Sequence, residues 1–365
     1  MSLSKMTPKQ RILAALKGEE VDTIPWCPFL AYWWEAQPKA FQDRGQPWFF
    51  KEIGADTMLR GFYQAFNISY EEGFNVIQKT NSEFGSIQYI TPTGTLSCRT
   101  RYSPDGNTYF VVEHPIKHRE DYRILRYLVQ HMRLTPNYQP LQEAIDQLGE
   151  DGLVVALVSP FGKSPFQSLI EHYVGTEELI YHLADFPEEV VELLEIMSEK
   201  AYESVCISVE SPAQAFITWE DSSTTNISPS LFRTYIAPDM NRWGKVIHEA
   251  GKILMHHACG HVRALLPTMA EEEIDVIESL SPPPTGNVEI WEAQEKLSPR
   301  VGIVGGIEPT RFLYLNIDEL TRYVEELLDK VNPHHYILAN SDSCPPGVSI
   351  EKFQRVTQIV RSWKL

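Results

Sequence analysis

The sequence predicts an α/β protein, a closed parallel (β/α)8 TIM barrel with a β-rich insertion in its N-terminal half. Three observations predict it. Short apolar runs alternate with helical stretches from Leu153 to the C-terminus, most runs end in polar or glycine-rich turns, and 365 residues is a length such barrels use. A doubly wound open sheet is the alternative, but no Gly-x-Gly-x-x-Gly follows the early strands.

Thr7-Pro8 caps a helix running through Lys17 and stopped by Gly18, and Thr23 to Phe29 follows as a short strand. An aromatic cluster comes next (Phe29, Tyr32, Trp33, Trp34, then Trp48 to Phe50), which reads either as packing of a cap or as the wall for a flat substrate. Thr57 to Phe62 is a second strand. Between Ser86 and Glu113, three β-rich pieces separated by Pro92-Thr93-Gly94 and Pro104-Asp105-Gly106-Asn107 read as an inserted meander. Leu153 to Val158 is a continuous apolar strand, followed by helices and by a long helix from Pro187 to about Val209. Ala215 to Trp219 is a strand ending in Glu220-Asp221, and Ser228-Pro229 opens a helix toward Ala250 with Gly251 beyond it. Lys252 to Cys259 is the next strand, with a helix expected from about His261 to Glu272. Strands centred on Ile277, Ile303 and Ile337 and helices Ile317 to Lys330 and Ser349 to Trp363 complete the pattern. The whole chain, 1–365, reads as one barrel domain carrying an insertion at 86–113.

Composition narrows the function. A formal charge of −17 opposes binding to nucleic acid, whose affinity comes largely from Lys and Arg neutralising phosphates. Five cysteines without a Cys-x-x-Cys form no disulfide framework and point to a reducing, cytoplasmic setting. No stretch approaches the ~18 apolar residues of a membrane-spanning helix, and the N-terminus lacks the order of a secretory signal, so no membrane partner is expected.

Active sites of such barrels lie at the C-terminal strand ends. The polar residues there are Glu220, Asp221, His257, Cys259, Glu278, Glu308, Asp342, Ser343 and Cys344. Strand alternation puts His257 and Cys259 on one face, and imidazole and thiolate are ligands that zinc favours. The alternative for an isolated His-x-Cys is a pair of buried polar residues satisfied by the backbone. Cys344 lies at the last strand end and completes a three-ligand set that leaves one position open, as in catalytic zinc sites. Glu220, Asp221 and Glu278 read as a fourth ligand, a support for His257 or proton carriers, against the alternative of helix caps and surface ion pairs.

Several of these segments carry a family resemblance. Trp219 to Gly306, with His257-Ala258-Cys259-Gly260, Ile277-Glu278-Ser279-Leu280-Ser281-Pro282-Pro283-Pro284-Thr285-Gly286 and Val304-Gly305-Gly306-Ile307, together with the opening Arg11 to Gly18 and the ending Ala339 to Phe353, resembles the uroporphyrinogen decarboxylase superfamily, and within it the corrinoid-linked methyltransferase branch. The decarboxylases carry an arginine-rich segment after the first strand. Here Cys27 to Glu35 contains no arginine, so a substrate with many carboxylates finds no clamp there. The methyltransferase branch implies zinc held by a His-x-Cys and a later Cys, matched by His257, Cys259 and Cys344, with Asp342 as the rival third ligand. It also implies methyl exchange between a small donor or acceptor, a thiol or a methoxylated compound, and a corrinoid (cobalamin). The Asp-x-His-x-x-Gly signature of a cobalamin-carrying domain is missing, so the corrinoid is expected free or on a separate protein. Two other readings are a lyase on the same barrel, which needs cations among Arg60, Arg99, Arg101 and Arg263 at the mouth, and a noncatalytic metal-binding protein.

Overall fold

The computed structural model describes residues 4–104, 108–297 and 299–364. Its strands are β1 Thr57–Gln64, β2 Phe66–Tyr70, β3 Asn75–Thr80, β4 Phe84–Thr91, β5 Gly94–Ser103, β6 Thr108–Glu113, β7 Met132–Pro136, β8 Gly152–Leu157, β9 Ala215–Thr218, β10 Ile253–His257, β11 Val276–Leu280, β12 Gly302–Ile307 and β13 Tyr336–Asn340. Seven of them form one parallel sheet in the order β1-β8-β9-β10-β11-β12-β13, flanked by helices. The sheet curls until its edges meet across residues 25–27. Trp26 bridges Leu338 of β13 in parallel, and its carbonyl accepts the Asp56 amide just before β1. The result is a distorted (β/α)8 barrel. The expected first strand, Thr23 to Phe29, is reduced to that bridge because Pro25 and Pro28 have no N–H to give a ladder.

Alternation along the strands divides the core in two. Met58, Leu153, Val155, Ile217, Met255, Val304 and Ile337 fill the barrel, while Leu254, Ile277, Ile303 and Leu338 face the helices. Helix Pro8–Leu16 begins in a Thr7/Gln10 capping box and buries Ile12, Ala15 and Leu16 against the inner cluster. Its Leu16 carbonyl meets His335, and Lys9 meets Glu150, so it covers the N-terminal ends of β13 and β8.

Three expectations are corrected. The insertion begins earlier than Ser86: β3 to β6 make a four-stranded antiparallel sheet, and β2 pairs with β7 beside it. β3 escapes notice because it is mostly exposed and shows no alternation of apolar residues. The turn at 105–107 lies outside the described residues. The stretch His261 to Glu272 holds only the short helix Leu266–Met269, since the loop before it is engaged by other partners: His261 accepts from Thr224, and the Arg263 amide is taken by Asn287. The helix after Ser228 is interrupted by a wide turn, Phe232–Ile236, before Ala237–Glu249, where Pro238 lacks the N–H that would bond back to Thr234.

Candidate metal centre

Strand parity brings the charged residues of the mouth together. Continuing the inward rows of β1, β10 and β11 past their apolar residues places Arg60, His257 and Glu278 inside the barrel at its C-terminal end. His257 and Glu278 are also register partners on neighbouring strands. All three are buried.

The side chains form a continuous network. Arg60 pairs through Nη1 with Glu278 and donates through Nη2 to the Cys27 carbonyl at 2.5 Å. The other Glu278 oxygen accepts from His257 Nδ1 at 2.5 Å, which leaves Nε2 facing Asp221 Oδ1 at 3.2 Å. Cys259 Sγ lies 3.5 Å from that same oxygen, and Lys163 Nζ holds the second one at 2.9 Å. Lys163 also pairs with Glu171. Asp221 sits at φ +45°, a left-handed conformation that turns its carboxylate back over the strand end. Phe29 and Trp219 stack at 5.4 Å between ring centroids, and both present edges to the His257 ring. The Trp219 ring lies against Gly61, at φ +69°, where a Cβ would come within 2.3 Å of it.

One ligand atom each from Asp221, His257 and Cys259 fall within 4.8 Å of one another, the group of that kind found among the described residues. Their electrostatics suit a cation. Burial favours a neutral His257 ring, yet Glu278, Cys259 and Asp221 raise its pKa well above the usual value. Burial and the Asp342 charge push the Cys259 thiol up to about 12. Burial opposes ionisation of Asp221, but the His257 hydrogen bond and the charges of His257 and Lys163 hold its carboxyl low. A site that binds a proton tightly on both an imidazole and a thiol is short of positive charge, and a divalent ion supplies it while displacing those protons. Nitrogen, sulfur and oxygen are the donors zinc takes, and a carboxylate behind the ligating histidine is the usual means of fixing its tautomer.

A family model for uroporphyrinogen decarboxylase (URO-D) matches residues 89–363. The chain belongs to the URO-D family. Among solved structures, a methyltransferase from Methanosarcina mazei is similar with a TM-score of 0.65 and 16% identity, over 98% of this chain and 99% of that one. A B12-independent methionine synthase from Shewanella sp. W3-18-1, solved with selenomethionine, matches at a TM-score of 0.44 and 13% identity, over 93% and 96% of the two chains. No curated protein matches the chain.

Within this URO-D barrel the other expected site residues have distinct places. Glu220 is fully buried and accepts from the Ser164 amide, the Ser164 hydroxyl and Thr218, so it fastens the loop after β8 to the end of β9. Glu308 caps helix Pro309–Tyr314 and binds Thr285. Asp342 feels His257, Asp221 and Glu278, and burial pushes its carboxyl up to about 6 against the pull of His257. Cys344 is outside the three-residue group: its side chain is fully buried in the core facing the helices, with Sγ 3.8 Å from the Pro345 carbonyl. All five cysteines are free. Of the four arginines a lyase would use, only Arg60 is part of this network, and its ion pair is spent on Glu278. Arg99 pairs with Glu113, Arg101 is exposed on β5, and Arg263 pairs with Glu292. The aromatic cluster after residue 29 divides likewise. Trp33, Phe41 and Phe49 pack with one another, Trp33 and Phe49 also against Phe353, and Phe29 alone stacks at the mouth. Lys163 and Glu171 were not anticipated, because a lysine in a loop and a glutamate in a helical segment carry no signal of their own.

Proposed function

We propose that the chain is a cytoplasmic, single-domain, zinc-dependent methyltransferase that exchanges a methyl group between a small thiol or methoxylated compound and a corrinoid, free or carried by a separate protein. The observation that carries this reading is the convergence of Asp221, His257 and Cys259 within 4.8 Å at the barrel mouth, with His257 Nδ1 already committed to Glu278. Zinc, when bound, supplies Lewis acidity to a thiol sulfur or a methoxy oxygen.

The chain's own residues prepare that site. Arg60 and His257 hold the Glu278 carboxyl below the usual range although burial would raise it, so Glu278 stays an acceptor and keeps the proton on His257 Nδ1. Nε2 is thereby left free for an ion, to which Asp221, held by Lys163, would supply an oxygen and Cys259 a sulfur. Asp342 is a nearby buried carboxyl, pushed up to about 6 by burial against the pull of His257. Trp219 and Phe29 cover the His257 ring and exclude water from it.

The test is methyl transfer to cob(I)alamin from a panel of thioethers and methoxylated aromatics, with zinc content measured on the same preparation. Activity and about one zinc per chain, both lost in Cys259→Ser, support the reading. A wild-type protein that retains no transition metal, or transfers no methyl group from any donor, overturns it.

A further inference from the structure

The barrel carries a second opening on its flank, outside β1. In a (β/α)8 barrel each strand is followed by a helix of the outer ring, but the chain leaving β1 runs into β2 and the inserted sheet instead. Helices Gln46–Ile53 and Gln139–Leu148, which lead into β1 and β8, are left with a cavity of about 600 Å³ between them over the second half of β1. Such a volume suits a small organic ligand. Leu59, Ala144 and Leu148 line it with buried apolar side chains, and Phe62 lies in it 55% exposed. No residue of the Asp221, His257 and Cys259 group lines it, so it is separate from the barrel mouth.

The polar part of the lining is built around Arg44. Its guanidinium lies 3.3 Å over the centroid of the Trp48 ring. Stacking of this kind uses the face of the planar group and leaves the N–H donors at its edge available. Among the described residues nothing takes those donors: the Arg44 side chain has no ion pair and no hydrogen bond. Trp48 Nε1 is likewise buried without an acceptor. Arg44 is also the one charged residue among those that line the cavity, whose other polar members, Gln46, Tyr63 and Gln147, are neutral. In a chain of net charge −17, a cavity with no carboxylate in its wall and an oriented, unpaired guanidinium is matched to an anion. A planar fork of N–H groups fits a carboxylate in particular, and the apolar floor beside it fits a flat hydrocarbon body.

We propose that this cavity binds a small organic carboxylate with a flat apolar body, its carboxylate on the open edge of Arg44 and its body over Leu59, Phe62 and Leu148. The assignment rests on the cavity alone and is independent of the methyltransferase reading.

Calorimetric titration of the full chain at low ionic strength with 2-naphthoate, with its neutral amide 2-naphthamide and with the cationic 2-naphthylmethylamine tests it. The carboxylate is expected to bind about tenfold more tightly than the amide, as a charge-assisted pair implies, and the amine not at all. Arg44→Gln should bring naphthoate down to the affinity of the amide, and Phe62→Ala should weaken both several-fold; both side chains are exposed, so neither variant is expected to unfold the barrel. Cys259→Ser should leave naphthoate affinity unchanged. No binding of naphthoate at millimolar concentration, equal affinity for acid and amide, or wild-type affinity in Arg44→Gln overturns the proposal. Loss of naphthoate binding in Cys259→Ser overturns it as well, because it places the carboxylate at the barrel mouth.

Discussion

The chemistry of the mouth rests on a few side chains whose protonation states depend on one another. Arg60 and Glu278 are both fully buried, so removing one partner strands a charge. Arg60→Met is expected to cost about 3–5 kcal/mol of unfolding free energy, measured in urea. Glu278→Gln leaves the Arg60 charge buried without its partner and should lose a similar stability, together with about 10–100-fold in zinc affinity because the His257 tautomer is no longer fixed; unchanged affinity in the folded variant, by competition with a chromophoric chelator, would remove Glu278 from that role. Cys344→Ser should keep its zinc while Cys259→Ser loses it. His257, Cys259, Asp221 and Glu278 were legible in the sequence because strand parity and strand ends determine where side chains point. The completion of the candidate metal group was less so, since Cys344 or Asp342 was expected there and Asp221 only as a fourth ligand, a support for His257 or a proton carrier. Asp342 and Cys344 sit in a loop rich in proline and glycine, where alternation gives no direction, and thiol affinity for zinc favoured a cysteine that the fold buries in the core instead.

Individual elements hold the site by close approach. Gly61 in β1 gives Trp219 room to lie against the backbone, so Gly61→Ala should push the indole away at a cost of about 1–3 kcal/mol, with weakened zinc binding as a second readout. Helix Ala237–Glu249 is tied near its end by His248, which faces Asp275 at 2.9 Å and Glu273 at 3.5 Å, with Arg300 opposing. The hydrogen bond to Asp275 raises the His248 pKa above its ordinary 6.5 even though burial lowers it. Its contribution is therefore fully present below pH 6.5 and is lost as pH rises through the raised value. His248→Gln should be less stable than wild type by up to about 1 kcal/mol at pH 6 and by less at pH 9, in urea unfolding; a gap that widens with pH would contradict this sign. The barrel strands after Leu153 were legible because buried parallel strands are unbroken apolar runs. The helix break before Leu266 was not, since it depends on partners distant in sequence, whereas the one at Phe232–Ile236 has a local mark in Pro238 that the helical pattern around it overrode.

On the scale of the whole molecule, the candidate metal centre joins the ends of β9 and β10 and is braced from β1 and β11, so an ion held there would bind the folded barrel alone. Zinc at about 100 times its Kd should raise the unfolding free energy by about 2.7 kcal/mol, and chelation should reverse it. The barrel class was legible from alternation and length. The way it closes was not, because residues 25–27 complete the ring with a single bridge. The position of the inserted sheet was also hidden: turn chemistry announces its hairpins, but only the fold places its inner face beside Glu171. The most direct test of the account is X-ray absorption at the zinc edge of the purified protein. The expected shell holds one sulfur at about 2.3 Å and the remaining nitrogen and oxygen ligands at about 2.0–2.2 Å. A shell with two sulfurs, or a protein that retains no transition metal, would contradict a centre built from Asp221, His257 and Cys259.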